Sequence, residues 1–347
     1  MGSRVRDKEV DPSAFVRPAA VHPDAILTVL RVPAEWSRWR IDRVVHATYA
    51  RTSRTRAQEI VRIGAWSPDG RKLKAGDRVR AGDVVLLYRP PFDEPDVPTD
   101  CRVLYEDDAL LAIDKPPGLP VHPTARWHHK TVTAVLAAAR PDEFLALCHR
   151  IDRETSGVLL LAKRPDAERI VKRMLEERDT VKKRYLAICW GRPTPPDGRV
   201  ALALKLDLGH RLRVKMTTTT DDDPDALTAA TRYATLETRH GESGRSYALV
   251  QCDLETGRQH QIRAHMSALG APLVGDKLYG PDDELFARGA DGELTADDLA
   301  TLELPRHALH AHRLALPHPL RPAEEVVIES PLPTDLADFW STLRGVG

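Results

Sequence analysis

The chain has 347 residues, 51 Lys+Arg balanced by 51 Asp+Glu, and 42% apolar residues. That composition excludes wholesale disorder and suits about two domains of roughly 150 residues each. No apolar run approaches the roughly 20 residues of a membrane helix, and the charged start, Met1 to Lys8, lacks the apolar stretch of a secretory signal, so a cytoplasmic protein is expected. In chain order, residues 1–25 are polar, with Pro12, Pro18 and Pro23, and read as a flexible tail. Residues 26–35 look like a strand. Ile41, Val44, Val45 and Tyr49 fall at helical spacing, and Ser53 is placed to cap a second helix that Gly64 closes. Asp69-Gly70 marks a turn, and residues 78–88 are expected to finish as a strand pair around Gly82-Asp83. Between Trp36 and Pro90 there are 13 Lys/Arg and 5 Asp/Glu, a net of +8 that the rest of the chain balances, largely in 221–225 and 282–303. A compact basic patch of this kind attracts phosphate backbones by counterion release.

Residues 91–100, with Pro91, Pro95 and Pro98, read as a linker. Beyond it, 101–345 alternates strand-like and helical pieces. Leu110–Lys115 runs into a Pro-Gly loop, and Gly157–Lys163 is a buried strand. Asp166–Arg178 is a helix, and Arg184–Gly191 a strand. Residues 217–226 form a polar Thr/Asp loop, strands lie near 229–239 and 246–254, and Gln259–Leu269 is a helix ended by Gly270. The pattern predicts an α+β fold without internal repeats.

Three segments carry chemistry. In Cys148-His149-Arg150-Ile151-Asp152-Arg153-Glu154-Thr155-Ser156-Gly157, a carboxylate flanked by arginines sits in a polar loop before an apolar strand. Such a loop is a platform for a reactive group, although a salt-bridged surface Asp is the plainer reading of that stretch taken alone. In Glu255-Thr256-Gly257-Arg258-Gln259-His260-Gln261-Ile262-Arg263, Gly257 opens a helix with His260, Arg263 and Ser267 on one face. A guanidinium on a packed helix needs a buried acidic partner. In Lys183-Arg184-Tyr185-Leu186-Ala187, Tyr185 alternates with Ala187 on one strand face, a pattern that equally suits a core tyrosine.

Together these segments resemble the RluA-type family of RNA pseudouridine synthases. The other landmarks follow in order: Lys115-Pro-Pro-Gly-Leu-Pro-Val-His-Pro123, Gly275-Asp-Lys-Leu-Tyr-Gly280 and Leu309-His-Ala-His-Arg-Leu314. The resemblance implies a mixed, largely antiparallel catalytic sheet with flanking helices over 101–345. It also implies isomerisation of uridine to pseudouridine without a cofactor. Asp152 matches the catalytic aspartate, Arg263 its ion-pair partner, and Tyr185 the tyrosine near the base. Arg150 matches the residue that fills the space of a flipped base, while His122, Arg258 and His260 are further RNA contacts. Arg-Ile-Asp-Arg-Val at 40–44, followed by residues 52–64 and 69–85, resembles the small RNA-binding domain named after ribosomal protein S-four. This makes 26–90 a small α/β unit, with Ala65-Trp66-Ser67-Pro68 in place of its usual short strand. Carried over, Arg54, Arg56 and Arg62 would touch phosphates. The expected partner is structured RNA, ribosomal RNA before tRNA, bound by a monomer. A catalytically silent RNA-binding or ribosome-assembly factor is the competing class. His310, His312 and His318, and His128-His129, complete no familiar ligand set, so no metal is expected. The four cysteines, at 101, 148, 189 and 252, form no close pair.

Overall fold

The computed structural model describes residues 15–49, 52–90, 94–124, 127–177, 180–210 and 214–345, apart from the side chains of 290 and 291. The chain divides into two compact units after residue 93.

In the first unit, β1 (Ile26–Arg31) is followed by α1 (Ile41–Thr48), α2 (Arg54–Gly64), β2 (Ala65–Trp66) and β3 (Val84–Arg89), with sheet order β1-β3-β2. Strand alternation sorts the core. Leu30, Val85 and Leu87 face α1 and α2, whereas Val29, Leu86 and Tyr88 face the other way. That second face is covered in part by Phe15, Val21 and Ala25, which anchor residues 15–25 at those points while Val16 and 22–24 stay exposed; the rest of the expected tail lies outside the described residues. The Ser53 hydroxyl accepts the Arg56 amide at 3.1 Å and caps α2. Two further expectations are corrected. Ala65–Trp66 does form a short strand, because it pairs with Leu86 and Leu87 before Pro68 intervenes. Residues 80–83 form a turn closed by the Asp83 carboxylate on the Arg80 amide, so β3 pairs with β1 instead of with residues 78–81.

The second unit begins before the expected linker ends. The Glu94 carboxylate accepts the amides of His128, His129 and Lys130 at 2.7–2.8 Å, which fixes the segment to this unit. Its elements are β4 (Arg102–Glu106), β5 (Leu110–Lys115), α3 (Val132–Ala139), β6 (Ala146–Leu147), β7 (Ser156–Ala162), α4 (Pro165–Glu177), β8 (Lys182–Trp190), β9 (Asp197–Val200), β10 (Ala203–Leu206), β11 (Met216–Thr219), β12 (Thr231–His240), β13 (Ser246–Leu254), α5 (Gln261–Ala268), α6 (Glu284–Asp291), α7 (Ala296–Leu302), β14 (Leu309–Pro317), β15 (Glu325–Glu329), α8 (Thr334–Thr342) and β16 (Arg344–Gly345). Arg178, the expected end of α4, lies outside the described residues. Part of the expected Thr/Asp loop is strand β11, paired with β10. The main sheet runs β16-β12-β13-β8-β14-β7-β5-β4, with β15, β6 and β9 added at its sides. Its described pairings are antiparallel except β7 with β14.

Strand β7 is buried on both faces. Leu159 and Leu161 pack toward α3 with Leu111 and Ile113, while Val158 and Leu160 pack toward α4 with Leu110 and Leu314. Each such fully buried leucine contributes about 1.5–3 kcal/mol. Gly157, at the parallel crossing, has φ 106°, and a Cβ there would strike the Ala311 carbonyl oxygen. Glycine therefore lets β7 and β14 touch, and this sets the preceding loop over the sheet.

Candidate active site

The loop before β7, the first half of β8 and the N-terminal end of α5 converge on a cavity of about 440 Å³. Arg150, Asp152, Tyr185, Arg258, His260 and Arg263 all line it. His122 does not. The neighbouring Val121 is drawn into the core beneath α3 and the loop is tied by the Val132 and Thr133 amides, leaving His122 exposed elsewhere. Arg54, Arg56 and Arg62 lie on the exposed side of α2 in the first unit; Arg56 is tied to Glu59 at 2.6 Å.

Asp152 Oδ2 accepts Arg263 Nη1 at 3.0 Å, while Oδ1 takes no hydrogen bond among the described residues. Burial pushes this carboxyl up, but His260, Arg263 and His307 outweigh that and hold it below the usual carboxylate range. The rest of the guanidinium is gripped by Asp276, with Nε to Oδ2 at 2.7 Å and Nη2 to Oδ1 at 2.8 Å. Asp276 is fully buried and also accepts the amides of Leu278 and Tyr279. One cation thus serves two carboxylates. Asp276 is fixed by the backbone, and Asp152 is held at one oxygen with the other left for chemistry.

The helix bearing Arg263 starts later than its sequence pattern suggests. Gln261 Oε1 accepts from the Thr256 hydroxyl and the Arg258 amide, closing residues 256–260 into a turn. His260 takes a left-handed φ of 55° just before α5 instead of lying on the helical face of Arg263. Its Nδ1 meets the Tyr279 hydroxyl at 3.1 Å, and the Tyr279 oxygen already accepts the Met216 amide. With the phenol donating to Nδ1, the ring proton sits on Nε2, which lies 4.0 Å from Asp152 Oδ2. Burial and Arg263 push the His260 pKa down to about 4, so the ring is neutral near pH 7. Tyr185 is buried on β8; burial and the Asp152 charge raise its pKa, keeping the phenol protonated. Arg150 stands exposed at the cavity without an ion pair among the described residues. Arg258 Nε donates to the Thr228 carbonyl at 3.1 Å.

Several supporting residues had no role in the sequence reading. Lys115, fully buried, donates from Nζ to the carbonyls of Pro116, Leu119 and Arg153, and burial brings its pKa down to about 7. Glu154 binds Lys277 at 2.9 Å and His307 at 3.5 Å; burial opposes its charge, but Lys277, His307 and Arg153 prevail and hold it at about 2. Lys115 and Asp276 both stand in landmark motifs, and a charged residue beside a glycine-bearing turn was the available signal. Three of the histidines considered for metal, His310, His312 and His318, are engaged otherwise. His310 meets Ser156 and the Ser330 carbonyl, and His312 the same carbonyl. Asp107, Asp108 and His318 lie close together, but His318 Nδ1 accepts two amides and its Nε2 proton faces Asp107, leaving no lone pair for an ion.

Residues 109–268 match the family model for RNA pseudouridylate synthase. The ribosomal large subunit pseudouridine synthase D of Xanthomonas campestris is 36% identical over 92% of this chain and 94% of its own length. The RNA pseudouridine synthase YlyB of Bacillus subtilis is 33% identical over 89% and 95%. Among solved structures, human RNA pseudouridylate synthase domain containing 4 superposes with a TM-score of 0.53 at 30% identity, covering 71% of this chain and 94% of that one.

Proposed function

Because the chain belongs to the RluA-type family of RNA pseudouridine synthases, we propose that it isomerises specific uridines of large-subunit ribosomal RNA. The observation that carries the reaction is Asp152, ionised, gripped at Oδ2 and open at Oδ1. An oriented carboxylate oxygen can attack the ribose carbon that bears the base or remove a neighbouring ribose proton, and either course breaks the base–sugar bond. The target uridine must leave its stack, at a cost of a few kcal/mol. Arg150, exposed at the cavity and without an ion pair among the described residues, can fill the vacated space and stack there. After the base turns and rejoins through carbon 5, that carbon loses a proton. Tyr185 is protonated, so accepting this proton requires giving up its own, and Asp152, an ionised carboxylate lining the same cavity, can take it.

The choice of ribosomal RNA is supported by the names of several relatives and by the exposed cations of α2 in the first unit, Arg54 and Arg62 among them. It is tested by mapping pseudouridine in total RNA from cells carrying the wild-type protein or Asp152→Ala. Sites lost from large-subunit ribosomal RNA are expected. Losses confined to tRNA would move the substrate there. No lost site, with RNA still bound, would make the protein a silent RNA-binding factor.

For Tyr185→Phe, product formation should fall about 10²–10⁴-fold, the usual share of a proton-transfer group. RNA affinity should stay within a few-fold. Single-turnover assays with radiolabelled uridine check this, and wild-type yield would reduce Tyr185 to a packing residue.

A further inference from the structure

A row of charge crosses the catalytic sheet outside the cavity. In register, Arg199 on β9 faces Arg232 on β12, which faces Asp253 on β13. Asp253 faces Arg184 on β8, which faces Arg313 on β14, which faces Glu329 on β15. Residues directly opposite across strands share a face, so this is one continuous ladder. At about 4.8 Å per strand, Arg199 to Arg313 spans roughly 19 Å. The arginine side chains remain 31–67% exposed.

Two steps of the ladder place arginine against arginine, an arrangement that costs stability in a sheet. The first is not fully compensated. Arg199 and Arg232 share the single carboxylate of Glu255, each at 2.8 Å. Arg184 takes Asp253 at 2.8 Å and Arg313 takes Glu329 at 2.9 Å. Lys182, on the same face of β8 as Arg184, makes no ion pair with a described residue. Five cations therefore stand against three carboxylates. The four arginines and Lys182 line a groove of about 650 Å³. Lys183 and Leu254 line both this groove and the catalytic cavity, so the two approach each other at the start of β8.

We propose that this arginine ladder seats the phosphate backbone of the substrate RNA where it leaves the catalytic cavity. The proposal rests on the RNA-modifying reading above. The partner is a polyanion with regularly spaced charges, which a row of exposed guanidiniums meets at several points at once. Arg184 and Tyr185 are consecutive on β8 and so face opposite sides of the sheet, and RNA on the ladder reaches the cavity by passing round the start of β8, where Lys183 and Leu254 line both.

The test compares the full-length wild type with Arg199→Gln/Arg232→Gln and, separately, Lys182→Glu, which removes a lysine that makes no ion pair among the described residues. The RNA is a transcript of large-subunit ribosomal RNA. Both variants should raise Kd, the double variant about tenfold. The slope of log Kd against log salt should shrink by about 1–2 for the double variant, in line with two lost phosphate contacts. Their kcat at saturating RNA should match wild type. Unchanged Kd and salt slope in both variants would overturn the proposal, as would lowered kcat at unchanged Kd. Pseudouridine is measured on the same transcript. A wild type that binds it without making product would strike the ribosomal-RNA assignment, while the Kd comparison still decides the ladder.

Discussion

Asp152→Asn is expected to lower pseudouridine formation by at least about 10⁴-fold and to leave RNA affinity within a few-fold. The amide keeps the shape and can still accept from Arg263 Nη1, so the loop keeps its place. What disappears is the negative, unshared oxygen at Oδ1. The fold should survive, because Arg263 retains the two bonds to Asp276. In the wild type, the depressed Asp152 pKa and the His260 value of about 4 place both groups in their working states from about pH 6 upward. The rate of the chemical step should therefore lack a limb near pH 6.5, where an unperturbed histidine would titrate. Single-turnover product formation from pH 5.5 to 8, with binding followed separately, tests both statements. Turnover retained in Asp152→Asn would remove that residue from the chemistry.

The second large effect is on stability. Arg263→Met removes the cation that two carboxylates share and leaves Asp276 buried beside two amides. Breaking a buried pair from one side costs about 3–5 kcal/mol. The pH dependence should also change sign. Asp276 has a depressed pKa in the wild type: burial opposes its charge, but Arg263 prevails. It therefore contributes stability above the unfolded carboxylate range, and this is lost as pH falls through the depressed value. Without Arg263, burial dominates and the folded pKa rises above the unfolded one. The variant should then gain stability as pH falls from 7.5 to 5.5, a window in which the wild-type Asp276 contribution is constant. Urea unfolding at the two pH values measures this, and a loss below about 1 kcal/mol at pH 7.5 would contradict it. Arg263→Lys should recover part of the stability but little activity, since an ammonium cannot replace the fork that meets Asp276 and Asp152 together.

Composition, strand and helix periods and ordered motifs determined much by themselves. They placed Asp152 in a loop before a buried strand, Tyr185 on a strand face and Arg263 on a packed helix, and the resemblance of the ordered motifs to a known family implied an RNA-modifying α+β enzyme. These are local properties: a run such as Gly157–Ala162 is apolar throughout because both of its faces are covered, and the text of the chain records that. Partnership is not local. That Arg263 answers to Asp276 as well as Asp152 depends on a turn 13 residues away folding back beneath it. The left-handed His260 follows from Gln261 closing the turn before α5, and periodicity alone would have extended the helix through it. Residues 15–25 and 94–100, polar and proline-rich, read as loose, yet Phe15, Val21 and Glu94 find partners that only the folded units supply. The arginine ladder shows the same division. Its members come from six strands between Arg184 and Glu329, with Arg199 and Arg232 far apart in the chain, and nothing in their sequence spacing relates them. Sheet register brings them to one row, because hydrogen-bonded strands impose neighbours that the linear chain does not encode by distance.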